Sequence, residues 1–148
     1  MKMHITLGVF NLLDEEIEEA EMRFKKVGQK FSDLASPGSF LVNVKGLEMG
    51  DGSQVLFAKV YLGREMLEIL RGLFEDELGD KLTDMRFMPH VTLFDECTLD
   101  PVTRENLFRT ADVMTGPTIR VTSMSFRQRH QQRESGEQLR GRVVAYTF

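Results

Sequence analysis

The sequence predicts an α+β fold, with antiparallel sheets flanked by helices in two pseudo-symmetric lobes around a central cleft. Three observations carry this. Short apolar, β-branched runs alternate with longer stretches whose apolar residues recur every three or four positions. Two of the runs flank a tight turn cluster, which makes a hairpin and an antiparallel sheet. A strand carrying His-x-Thr occurs twice, each time followed by a helix and then a strand pair.

The elements follow in order. Residues 5–10 are short, apolar and β-branched and read as a buried strand. Asp14 is placed to cap a helix, with Glu15 and Glu16 in its positive first turn. Ile17, Ala20, Phe24, Val27 and Phe31 form one apolar stripe on that helix, and Ser36-Pro37-Gly38 ends it. Residues 40–47 and 55–62 are strands around the turn residues Gly50-Asp51-Gly52-Ser53. A second helix runs over 64–78, with Met66, Leu67, Leu70, Leu73, Phe74 and Leu78 inward and Gly79 as its stop. Residues 87–94 form a strand that Pro89 suits at its start or at an edge. Asp100-Pro101 pairs an N-cap with a proline at the first helical position, opening a helix to about Met114 that Gly116-Pro117 breaks. Residues 119–128 and 142–148 close the chain as two strands joined by a polar loop. The order is β-α-β-β-α-β-α-β-β.

At 148 residues the chain is read as a single domain, 1–148, since no Pro- or Ser-rich linker or low-complexity segment divides it. One cysteine, Cys97, rules out an internal disulfide framework or a cysteine-rich zinc site, and is read as structural. No apolar run approaches the roughly 18 residues of a membrane span, and the N-terminus lacks a signal-peptide cleavage site. An intracellular protein is expected, cytoplasmic or nuclear with an organelle left open, and with no membrane partner. The net charge of −4 gives no overall basic field for nucleic acid. Charge is uneven, however: residues 120–142 carry a net +4, which leaves −8 for the rest.

The chemistry lies in the histidines. Two of the three stand in one frame, His4-Ile5-Thr6-Leu7 and His90-Val91-Thr92-Leu93. Positions i and i+2 of a strand share a face. Each motif therefore presents one imidazole and one hydroxyl together and sends its apolar residues to the other side. Two such strands facing one another bring two imidazoles and two hydroxyls to one place. One neutral imidazole can take a proton from an attacking hydroxyl or water while the other, protonated, gives one to the leaving oxygen. The hydroxyls can donate to phosphate oxygens as charge builds there. That set suits phosphodiester chemistry without metal or other cofactor. A zinc site falls short of ligands. A lone His-x-Thr on a strand is ordinarily a hydrogen-bonded structural pair, and the matched second copy is what favours a phosphate site.

These motifs, with Phe87-x-Pro89-His90-Val91-Thr92-Leu93, the hairpin strand Val55-Leu56-Phe57-Ala58-Lys59-Val60 and Met3-His4-Ile5-Thr6-Leu7-Gly8, resemble the two-histidine (2H) phosphoesterase superfamily, LigT-like. The closest likeness is to the kinase-anchoring-protein central domain and to 2′,5′ RNA ligase-like domains. The resemblance implies a bilobal fold with a V-shaped cleft. It implies His4 and His90 as the acid–base pair and Thr6 and Thr92 as phosphate binders. The implied ligands are 2′,5′-linked oligoadenylate, 2′,3′-cyclic phosphate ends of short RNA, or a nucleoside monophosphate. Relatives normally carry a strand and a helix before the first motif, and here three residues precede His4. The expected fold lacks that strand and helix, leaving a sheet edge for a partner chain or for self-association. Two other functions stand beside the phosphodiesterase: a non-catalytic nucleotide- or RNA-binding module, and a structural subunit of an RNA-containing assembly.

Arg127, Arg129 and His130 are candidate RNA contacts at the start of the polar loop, weighed against a solvated hairpin tip. Phe87, Phe94 and Tyr146 are available to stack on bases, although strand aromatics more often serve the core.

Overall fold

A computed structural model describes residues 4–35, 38–50, 55–83, 86–94, 98–114, 116–128 and 143–148. A 3₁₀ turn, Asp14–Glu16, leads into α1 (Ile17–Leu34). Then follow β1 (Phe40–Met49), β2 (Leu56–Leu62), α2 (Arg64–Leu78), a 3₁₀ turn at Gly79–Lys81, β3 (His90–Phe94), α3 (Pro101–Val113), β4 (Thr118–Val121), β5 (Ser123–Arg127) and β6 (Val143–Thr147). Five of the six expected strands thus appear, with all three helices, and the fold is α+β as the sequence predicts. The main sheet has the order β3-β2-β1-β4, with every neighbouring pair antiparallel, and β5 pairs with β6 in a second sheet.

The apolar stripes dictate the packing. Ala20, Phe24, Val27 and Phe31 of α1 and Leu67, Leu70, Phe74 and Leu78 of α2 are all buried. They meet the inward residues of the main sheet, Val42, Val44, Ala58, Val60 and Val91, in one cluster. Each fully buried Phe or Leu contributes roughly 1.5–3 kcal/mol. The second sheet leans on α1, with Phe126 beside Phe24 at 5.7 Å between ring centroids. The hairpin of β1 and β2 is closed by the Gly50 N–H donating to the Val55 carbonyl at 3.1 Å.

Several expectations are corrected. Residues 5–10 are not a continuous strand: they reach their neighbours through single bridges, Ile5 to Val91 and Phe10 to Leu82. Asp14 is not the cap. The helix begins with a 3₁₀ turn, so the N-cap falls on Leu13, whose N–H is taken by Glu16 Oε2 at 2.9 Å. α2 does end at Leu78 with Gly79 as its C-cap, as expected, although Gly79 is right-handed and opens the next 3₁₀ turn. The strand read over 87–94 starts at His90, since Pro89 has no N–H for a ladder. The strand read over 119–128 divides at Thr122. Residues before it pair with β1 and those after it with β6, and the Phe148 N–H marks the corner by donating to the Thr122 carbonyl at 2.9 Å. Asp100 caps α3 as predicted, accepting from the Thr103 N–H at 3.0 Å.

Two contacts fix α1 in place. Gly28, in mid-helix, lies under the Tyr146 ring, and a Cβ there would stand 2.6 Å from ring carbons. Glu77 of α2, its side chain only 10% exposed, accepts from Lys30 of α1 at 2.7 Å and pairs with Lys26 at 3.2 Å. The Lys30 hydrogen bond, above all, holds its carboxyl below the ordinary value of 4.5.

Gly28→Ala is expected to destabilise the protein in urea unfolding. Overpacking costs about 1–3 kcal/mol, against a helix-propensity gain of at most about 1 kcal/mol. For Glu77 the folded-state pKa lies below the unfolded one, so its contribution is full above the ordinary carboxylate range and lost as pH falls through the lowered value. The stability gap between the wild type and Glu77→Gln is therefore expected to be widest near neutrality and to close below about pH 4, as read by denaturant midpoints across pH.

Candidate active site

Val91 sits at the centre of β3 and is 3% exposed, pointing into the helix-covered core. Its neighbours His90 and Thr92 must then point to the opposite face. Ile5 bridges Val91 in antiparallel sense and packs on the same core. Antiparallel register follows: Thr6 lies across from His90, and His4 across from Thr92. By that register all four polar side chains share the face away from α1 and α2. Directly opposed residues have Cβ atoms about 4.5–5.5 Å apart, and diagonal ones such as His4 and His90 about 7–8 Å. His4 and Thr6 are exposed, and His90 and Thr92 are half-buried.

The His90 ring is held on two sides. Its Nδ1–H donates to the Met88 carbonyl at 2.7 Å. A carbonyl only accepts, so in the neutral ring the lone pair is on Nε2. The Phe57 ring packs against it at 4.6 Å between centroids. Phe57 pairs with Thr92 and Lys59 with His90 in the β2–β3 ladder, so both residues stand on the histidine face.

Beneath the motifs lies Arg71 of α2, only 3% exposed. Its Nη1 donates to the Leu7 carbonyl at 2.7 Å and its Nε to Glu75 at 3.0 Å. Its guanidinium carbon lies 5.5 Å from the Phe87 ring centroid. One buried cation therefore holds the residue after Thr6 and the segment leading to His90. Residues 9–11 are tied separately, by the Thr83 N–H and hydroxyl donating to the Val9 carbonyl, each at 2.9 Å, and by the Asn11 N–H donating to the Lys81 carbonyl at 2.8 Å.

The other candidates fall elsewhere. Arg127 is exposed on β5 in the second sheet, while Arg129, His130 and Cys97 lie outside the described residues. Phe87 lies against Arg71 and Tyr146 covers Gly28, so both serve packing rather than a base platform. The Phe94 side chain also lies outside the description. Sequence reading missed Arg71, Phe57 and Lys59. The strand alternation of Phe57 and Lys59 against buried Leu56, Ala58 and Val60 was the available signal for the last two. Among the described residues no three His, Cys, Asp or Glu side chains cluster as metal ligands. Two surface concavities lie away from the four polar residues. One of about 380 Å³ is walled by Asn11, Glu16, Lys81 and Thr83, and one of about 570 Å³ runs along α3 by Arg104 and Phe108. Strand pairing, not depth, is what gathers the histidines and threonines.

Residues 1–115 match the family described as the AKAP7 2′5′ RNA ligase-like domain. The chain belongs to this family. The matched region takes in both His-x-Thr motifs and all three helices and stops before β4. It places the chain among proteins of the 2H phosphoesterase type. No curated protein matches the chain. No helix among the described residues is long and apolar enough to cross a membrane.

Replacing Arg71 by Met keeps the volume but strands the Leu7 carbonyl. Hydrogen bonds to charged groups contribute about 1.5–3 kcal/mol, and a loss of that order is expected in urea. Amide exchange should quicken in residues 5–8 more than in α1, since only the former hang on the guanidinium.

Proposed function

We propose that this domain is a metal-independent phosphodiesterase acting on 2′,5′-linked oligoadenylate or on 2′,3′-cyclic phosphate ends of RNA. His4 and His90 are its acid–base pair, and Thr6 and Thr92 bind the phosphate. The observation that carries this is the Ile5–Val91 pairing, whose register turns the four side chains to one face. The family match supports the same chemistry.

His90, with Nδ1–H tied to Met88, takes the proton of the attacking oxygen at Nε2. In a 2′,5′ linkage that oxygen is the neighbouring 3′-hydroxyl. Its bond to phosphorus forms the 2′,3′-cyclic phosphate, the bond to the leaving 5′-oxygen breaks, and protonated His4 supplies that oxygen with its proton. On a cyclic end, water attacks and a ring oxygen leaves with the donated proton. The Thr6 and Thr92 hydroxyls donate to the non-bridging oxygens, whose negative charge grows as phosphorus becomes five-coordinate.

Turnover of 2′,5′-oligoadenylate and of a cyclic-phosphate RNA end is the test. His4→Ala and His90→Ala are each expected to lower kcat/KM by about 10²–10⁴-fold, with unchanged circular dichroism. Full activity in either variant would overturn the assignment. If calorimetry shows the wild type binding AMP or CMP while turning over neither substrate, the domain is a binding module instead.

A further inference from the structure

We propose that the sheet face beside the histidines is a track for two further nucleotides of a single-stranded oligonucleotide. Phe57 and Tyr61 carry its bases, and Lys59 and Lys45 meet its phosphates. The proposal rests on the preceding reading for what occupies the histidine pair and extends it across β2 and β1.

Strand geometry supplies the first argument. Leu56, Ala58 and Val60 are buried, so Phe57, Lys59 and Tyr61 project from the other face in steps of about 6.5–7 Å. The order is ring, cation, ring. The β2–β3 register sets Phe57 across from Thr92 and Lys59 across from His90. The row therefore starts beside the proposed phosphate site and runs away from it. Tyr61 is 61% exposed at its far end.

A bulge in β1 supplies the second. Val44 pairs with Val60 and Leu47 with Ala58, so Lys45 and Gly46 together oppose Lys59. Gly46 takes φ +78°, a left-handed conformation that glycine accepts readily. Val44 faces the core, so Lys45 next to it stands on this face, with Nζ 5.2 Å from the Tyr61 ring centroid, and the extra residue returns Leu47 to register with Ala58. Two lysines and two rings thus share one strip of sheet on a chain of net charge −4.

The third argument is electrostatic. Lys26, Lys30 and Lys81 are each paired with a glutamate. Among the described residues, Lys45 and Lys59 reach no carboxylate at salt-bridge distance. The acids that share the strip are Glu48, across from Phe57, and Asp112 of α3, whose Oδ1 approaches Gly46 from the side that Lys59 occupies. Alternating rings and cations on an open surface suit an extended strand, because every base offers a π-face and every linkage a charge.

The experiment measures fluorescence anisotropy of labelled 2′,5′-linked adenylate dinucleotide and tetranucleotide with phosphorothioate linkages, which resist cleavage. The wild type is expected to bind the tetranucleotide about tenfold or more tighter than the dinucleotide, as base stacking on aromatics gives. Tyr61→Ser and Lys45→Gln should collapse that ratio toward one. Lys45→Gln should also flatten the salt dependence of tetranucleotide binding by about 0.7 in log–log slope, and Asp112→Asn should tighten it. Equal affinity for the two lengths in the wild type, or an undiminished ratio in both variants, overturns the track. Length-dependent binding without turnover of unmodified oligonucleotide leaves the track standing and removes the phosphodiesterase reading.

Discussion

A strand has a side-chain period of two, so pairing Ile5 with Val91 decides the direction of four polar side chains at once. With that register, both apolar residues face α1 and α2, and both imidazoles and both hydroxyls face outward. A slip by one residue on the Ile5 side would turn His4 and Thr6 toward hydrocarbon, where unpaired polar groups cost several kcal/mol. The core therefore enforces the site: Val91 at 3% exposure leaves no space for a polar neighbour in its place.

What makes this constraint unusual is how little ladder supports it. Residues 5–10 form two isolated bridges rather than a strand, so backbone pairing alone would let the segment fray. Side-chain contacts and one further backbone bond replace the missing ladder. Arg71 reaches from a buried position in α2 to the Leu7 carbonyl, Thr83 holds the Val9 carbonyl twice, and Phe10 lies 5.9 Å from Phe74 between ring centroids. Each anchor comes from α2 or from the turn that follows it. Helix α2 is in turn fixed to α1 by buried apolar residues and by Glu77. The outward face of the molecule thus inherits its order from the helix pair behind it.

The parts legible in the sequence are those set by local pattern. The stripe from Ala20 to Phe31 is buried as its spacing demands, Asp100 caps α3, and the paired His-x-Thr frames pointed to the family. The misreadings occur where a distant partner decides. Glu16 is drawn toward Lys81 at 2.6 Å while accepting the Leu13 N–H, and the helix start moves off Asp14. Thr122 divides a run of strand-like residues because two different sheets compete for its two halves. Arg71 was unreadable for a related reason. A charged residue in an amphipathic helix ordinarily faces water, and nothing local reveals that a carbonyl 64 positions away requires its guanidinium.

An open face also determines how binding energy reaches the reacting centre. In an enclosed pocket, a mononucleotide gains most of its affinity from burial on several sides. On a sheet surface, a phosphate at the proposed His4–His90 site would meet few walls, and only the groups that project from neighbouring strands would add to its hold. Stacking and charge contacts accumulate along a chain, whereas burial of a single nucleotide on one flat side does not grow. Binding energy from remote parts of a substrate can be spent on orientation at the scissile bond. A polymer lying across β2 and β1 would fix its phosphate against the histidines more firmly than a free nucleotide could. Lys45, which follows core-facing Val44 and stands opposite Lys59, joins Lys59 and Tyr61 on that strip.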